Sequence, residues 1–116
     1  MKRWIGRWIV GVGILHTLFG VIMGISTLWA ISHEGIWNSI DGHPGRPEVY
    51  WFFVSGFLLA LLGALVSWLE VRGLTPPRSF AWGFLALLIV MLVLMPASGT
   101  WLLLPPALGL IARARA

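Results

Sequence analysis

The chain is 116 residues long, 59% hydrophobic and only 10% charged, with a mean hydropathy of +0.91. A soluble domain carries about 25% charged residues, so this composition excludes an ordinary water-soluble fold and points to a single integral membrane domain. The absence of cysteine excludes a disulfide framework, a thiolate nucleophile and a Cys-ligated metal; the formal charge of +4 comes from bases beside apolar runs, not from a patch between aromatics, which argues against nucleic acid as a partner.

The first predicted span covers residues 8–31. Lys2, Arg3 and Arg7 ahead of it look like the start of a signal peptide, but the apolar run of about 24 residues exceeds the usual h-region of about 7 to 15. Leu28 and Ala30 also make a poor cleavage site, so a retained helix is expected. Gly6, Gly13, Thr17, Gly20, Gly24 and Thr27 fall on one face of that helix. Helices in lipid are not pushed together by the hydrophobic effect, and small residues let backbones approach closely enough for van der Waals contact. The stripe is therefore an expected interface, with His16 at its edge, roughly 60° from Gly13 on the helical wheel.

Residues 32–48 form an expected outer loop, broken by Gly35, Gly42, Pro44, Gly45 and Pro47. Within it Ile36, Trp37 and Ile40 suit one side of a short helical turn resting at the membrane surface. The second span, 49–69, repeats the first stripe with Gly56, Ala60, Gly63 and Ser67, and then places Glu70 where the first has Thr27. The two spans are expected to pack through these faces. Gly73 can take the left-handed conformation that closes a helix, and Pro76 and Pro77 prevent continuation.

The third span, 79–95, has Gly83 as its one glycine and is expected to show more of itself to lipid. Pro96 to Gly99 make a tight turn into a short fourth span, 100–112. Pro105 and Pro106 there leave the carbonyls of Trp101 and Leu102 without helical partners, which predicts a kinked helix packed on the others, with a re-entrant segment as the alternative.

These spans predict an all-α transmembrane four-helix bundle, multi-pass in an inner (plasma) membrane, with both termini cytoplasmic. Lys2, Arg3, Arg7, Arg72, Arg78, Arg113 and Arg115 then lie inside and Arg46 alone outside, as the positive-inside rule requires. Trp4, Trp8, Trp68 and Trp82 populate the inner interface, and Trp29, Trp37, Trp51 and Trp101 the outer one.

The segments His16-Thr17-Leu18-Phe19-Gly20, Tyr50-Trp51-Phe52-Phe53, Trp68-Leu69-Glu70 and Met95-Pro96-Ala97-Ser98-Gly99, with Trp101 and Pro105-Pro106, carry a resemblance over nearly the whole chain. It resembles an uncharacterised family of small bacterial four-helix membrane proteins, which implies the topology and supplies no activity. The plan is also loosely similar to DoxX-like proteins, which implies a link to membrane redox processes. Fold alone does not assign function.

His16, Thr17 and Glu70 are the candidate ligand or proton groups. Histidine changes charge near neutral pH, so His16 suits a proton carrier; it also suits a structural hydrogen bond to a neighbouring helix. No cofactor is expected. Haem is the alternative at His16, and it would need a second copy of the chain or Met23, Met91 or Met95 as the other axial ligand. His33, Asp41 and His43 are the first choices should the outer loop bind a cation, although their spacing matches no known ligand pattern and no metal is expected. Ser98 lacks the flanks of a nucleophile elbow and suits an N-cap. No catalytic set emerges. The expected role is a non-enzymatic accessory or helix-packing protein whose partners are the bilayer, a second copy or another membrane protein. A small transporter or lipophile-binding protein using His16 is one alternative, and a redox component holding haem or quinone is another. The helix count is similar to that of small multidrug resistance transporters, but the first span lacks their embedded glutamate.

Overall fold

The computed structural model describes residues 2–114, and Arg115 of the predicted basic end lies outside them. Among the described residues the regular structure is all helical: α1 (Ile5–Met23), α2 (Ile25–Glu34), α3 (Arg46–Val71), α4 (Arg78–Leu94), a 3-10 helix (Gly99–Leu103) and α5 (Leu104–Arg113). Two of them, α1 and α3, are long and apolar enough to cross a membrane, and α4 is apolar but shorter.

The stretch expected as one helix over 8–31 is two helices laid end to end. The break falls at Gly24, whose φ of −104° and ψ of 17° leave the helical region. Glycine has the weakest hold on helical geometry of any residue except proline, and here its missing side chain also admits Val49. α2 carries the chain on to Glu34, so the outer loop shrinks to residues 35–45. No helical turn forms around Ile36 and Trp37; both point outward, Trp37 96% exposed. Arg46 ties the loop together, bridging Glu34 at 2.7 Å and donating to the Ser39 carbonyl at 2.8 Å.

α1 and α3 run antiparallel with their small residues in register. Gly6 backs on Ser67, Gly63 on Val10, Gly13 on Ala60, Gly56 on Thr17, Gly20 on Phe52 and Phe53, and Gly24 on Val49. The approach is close enough that a Cβ at Gly63 would fall 2.5 Å from the Val10 amide nitrogen, and one at Gly13 would fall 2.7 Å from that of Ala60. Van der Waals contact between two bare backbones is therefore what joins this hairpin. At its foot α3 ends in a Schellman closure: Leu74 N–H donates to the Leu69 carbonyl, Gly73 N–H to that of Glu70, and Gly73 sits at φ +69°.

α4, the 3-10 helix and α5 lie across one face of the hairpin. Ile5 and Ile9 of α1 and Val66 of α3 are buried there with Ala81 of α4 and Leu110 of α5. Higher up, Val12 and Leu59 pack against Leu88, Leu103 and Ala107. Gly109 admits the Trp4 ring beside Ile5, which seats α5 on α1. Only Ala81 and Leu88 of α4 are buried, and Gly83 meets nothing.

The prolines of the last segment are accommodated by a change of helix type. Pro105 falls in the first turn of α5, where a missing N–H costs little. The Trp101 carbonyl accepts from Leu104 N–H in the 3-10 pattern. The Leu102 carbonyl accepts from the indole Nε1 of Trp8, 2.7 Å away on α1. An inter-helix hydrogen bond thus replaces the one that proline removes. Ser98 caps the 3-10 helix, accepting from Thr100 N–H at 3.4 Å and donating to Thr100 Oγ1 at 2.7 Å.

Candidate functional site

Two polar constellations lie between the helices, one at each level of the α1–α3 hairpin. At the foot, Glu70 is only 3% exposed. Its position follows from the register that places the end of α3 beneath the start of α1. One carboxylate oxygen accepts from Gly6 N–H at 2.6 Å, and the other accepts from Ile5 N–H at 3.3 Å and from Arg113 at 2.5 Å. The first amides of a helix have no partner within it and carry its positive end, so a carboxylate there is held by geometry and field together. Arg113, in the last turn of α5, also donates to the Lys2 carbonyl. The node fastens α1, α3 and α5 at one point. Arg72, which follows Glu70 closely in sequence, turns away and lies over the Trp68 ring at 3.8 Å.

Higher on the hairpin, the His16 ring stacks on Phe52, with centroids 3.9 Å apart and planes 19° from parallel. Its Nε2 lies 2.9 Å from both the Phe52 carbonyl and Ser55 Oγ, and Ser55 Oγ itself donates to that carbonyl at 2.7 Å. A carbonyl can only accept, so Nε2 carries the ring proton and the ring is fixed to α3 through it. Thr17, on the neighbouring face, spends its hydroxyl on the Gly13 carbonyl at 2.9 Å. It lies against Gly56 in the helix seam, and it does not contribute to the His16 cluster.

A family model described as a family of unknown function, DUF6463, matches residues 1–116. The chain belongs to that family. No curated protein and no solved structure matches it.

In this member of DUF6463 the remaining candidates stand apart from those two constellations. His33 meets the edge of Trp29, with ring centroids 4.5 Å apart. His33, Asp41 and His43 do not come together, and among the described residues no group of three His, Asp or Glu side chains is placed to hold a metal ion. Two shallow clefts are lined by apolar side chains: one by Ile14, Leu18, Phe57 and Ala60 beside Thr17, the other by Leu62, Leu65, Val66, Leu69, Pro76, Pro77 and Phe80. His16 lines neither of them.

Several functional partners were not visible from the sequence. Arg113 is the counter-ion of Glu70 although 43 residues away. Phe52 and Ser55 hold His16. A sequence signal did exist for the second: sliding the two small-residue stripes past one another antiparallel, rather than matching them in order, brings the 52–56 turn of α3 opposite His16 and Thr17.

Proposed function

We propose that the chain is a multi-pass protein of the inner (plasma) membrane, a four-helix transmembrane bundle with both termini cytoplasmic, acting as a non-enzymatic accessory protein through its lateral surface. The observation that carries this reading is how the polar groups are spent. Glu70, Trp8, Thr17 and Ser55 each hydrogen-bond within the chain, and no buried side-chain nitrogen or oxygen lacks a partner among the described residues. The surface left over is apolar and aromatic, including Phe57, Leu61, Trp68, Trp82 and Val93. Such a surface offers packing to lipid or to another membrane helix rather than chemistry.

The orientation rests on the six described bases Lys2, Arg3, Arg7, Arg72, Arg78 and Arg113, which gather at the Glu70 end of the hairpin, opposite Arg46. A chain without native cysteine makes this easy to test. In intact cells, Asn38→Cys is expected to react with a membrane-impermeant maleimide, and Ala114→Cys only after lysis. The reverse pattern would invert the topology, and labelling of both would put Asn38 and Ala114 on the same side, which contradicts three spans between them and favours a re-entrant last segment.

The accessory role is tested by native mass spectrometry of the protein released from its own membrane in mild detergent. The expected species is a complex of fixed stoichiometry with a second polypeptide. A bare monomer would remove this role.

A second reading, a lipophile-binding protein working through His16, is favoured by one observation. His16 is only half buried and both its neighbours, Phe52 and Ser55, are exposed, so the cluster opens sideways instead of into the bundle.

A further inference from the structure

The face of the hairpin that α4 and α5 cover does not end where their cover ends. On α1 it runs through Ile5, Ile9 and Val12, and on α3 through Val66 and Leu59, all packed against α4, the 3-10 helix or α5. Helical spacing continues it through His16 and Phe19 on α1, and through Ser55 and Phe52 on α3. There the cover stops: Phe19 is 54% and Phe52 37% exposed, and Ser55 is exposed. A strip of core-type surface therefore faces sideways, with a histidine set in it.

That histidine has one unused hydrogen-bonding position. Nε2 holds the proton and spends it on α3, so in the neutral imidazole Nδ1 is a bare acceptor. Nδ1 takes part in no hydrogen bond among the described residues, and it is not among the buried atoms, so it opens to the outside. His16 stands about 17 Å along the helix from Ile5, at ~1.5 Å per residue, which is near the middle of a ~30 Å hydrocarbon layer. Water is scarce at that depth, and an acceptor there is unsatisfied until a donor arrives from the bilayer. A second copy of the chain brings no hydroxyl for the purpose. Thr17 and Ser55, the hydroxyls at this level, already donate to the Gly13 and Phe52 carbonyls. A phospholipid headgroup lies too far out. The surroundings are aromatic, Phe19 and Phe52 having ring centroids 6.0 Å apart and tilted by 50°.

We infer that this strip binds a lipid-soluble phenol, whose hydroxyl donates to His16 Nδ1 and whose ring packs against Phe19. The inference rests on the membrane-embedded, lipophile-binding reading above and names the ligand class for it. The hydroxyl supplies the donor, and the aromatic body matches the two phenylalanines.

The test uses the full chain in lipid nanodiscs with a long-chain alkylphenol and its methyl ether, which has the same shape and no donor. Loss of one hydrogen bond in a dry site is expected to weaken binding roughly tenfold, so the ether binds that much less tightly. In protein labelled with 15N at histidine, the Nδ1 resonance of His16 is expected to shift with the phenol and to stay in place with the ether. His16→Phe keeps an aromatic ring on Phe52 and is expected to bind phenol and ether equally. Equal affinities in the unmutated chain, an unmoved Nδ1 resonance, or a preference that survives in His16→Phe would each overturn the inference. Incorporation into the nanodiscs is measured first. A chain that fails to incorporate refutes the membrane reading itself, whereas an incorporated chain without the preference refutes only the ligand.

Discussion

Gly63→Ala is expected to destabilise the protein by about 2–3 kcal/mol, read as a lowered unfolding midpoint in detergent, although alanine is the better helix former. The new Cβ would lie 2.5 Å from the Val10 amide nitrogen and 2.9 Å from the Gly6 carbonyl oxygen. Both are backbone atoms of α1, so the whole helix must move out along its length, loosening the contact at Gly6 and Gly13 as well. Gly6→Ala, which meets the Ser67 backbone, should behave alike. Gly20→Ala is the instructive intermediate. Its nearest neighbours are atoms of the Phe52 ring, at 2.9 and 3.2 Å, and a ring can swing where a backbone cannot. A cost of about 1 kcal/mol is expected there, together with a disturbed His16 stack. Gly11→Ala and Gly83→Ala meet nothing within 4 Å, and should stabilise by up to about 1 kcal/mol. If all five substitutions have the same effect, close backbone packing does not hold the hairpin together.

Glu70→Ala should cost about 3–5 kcal/mol, the range for removing one member of a buried ion pair. It leaves the Ile5 and Gly6 amides without an acceptor and Arg113 without its counter-ion. Glu70→Gln keeps an acceptor beneath Gly6 and removes the charge, and is expected to cost about 1–3 kcal/mol. Arg113→Ala strands the carboxylate but spares the amide bonds, and should fall between them. Measured as a cycle, Glu70→Gln with Arg113→Ala should be less costly than the sum of the two single changes, because the second removes a partner already lost. Strict additivity would show that the carboxylate and the guanidinium do not interact.

The helical class and the two membrane-length segments were legible in the sequence because hydropathy and small-residue spacing are local properties. The Schellman closure was legible for the same reason, since Gly73 stands directly after the last turn and before Pro76 and Pro77. What escaped depended on partners distant in the chain. Glu70 stands in the sequence as a candidate ligand or proton group two residues before Arg72; only the register of α3 against α1, and the landing of α5 on both, convert it into a buried helix cap. The Pro105-Pro106 pair predicted orphaned carbonyls, but nothing in the local sequence said that Trp8 would reach across to one and a 3-10 turn would satisfy the other. The break at Gly24 was hidden because the same glycine also completes the packing stripe. His16 stands out on the helix wheel as a polar group within an apolar span, yet its partners Phe52 and Ser55 required knowing how far one helix slides along the other.

The Glu70 node also makes the start of α1 and the last turn of α5 depend on each other. Glu70 accepts from the Ile5 and Gly6 amides and from Arg113, and Arg113 donates in turn to the Lys2 carbonyl. Segments that lie at opposite ends of the sequence are thereby closed on one carboxylate, so fraying of either one releases a bond that holds the other.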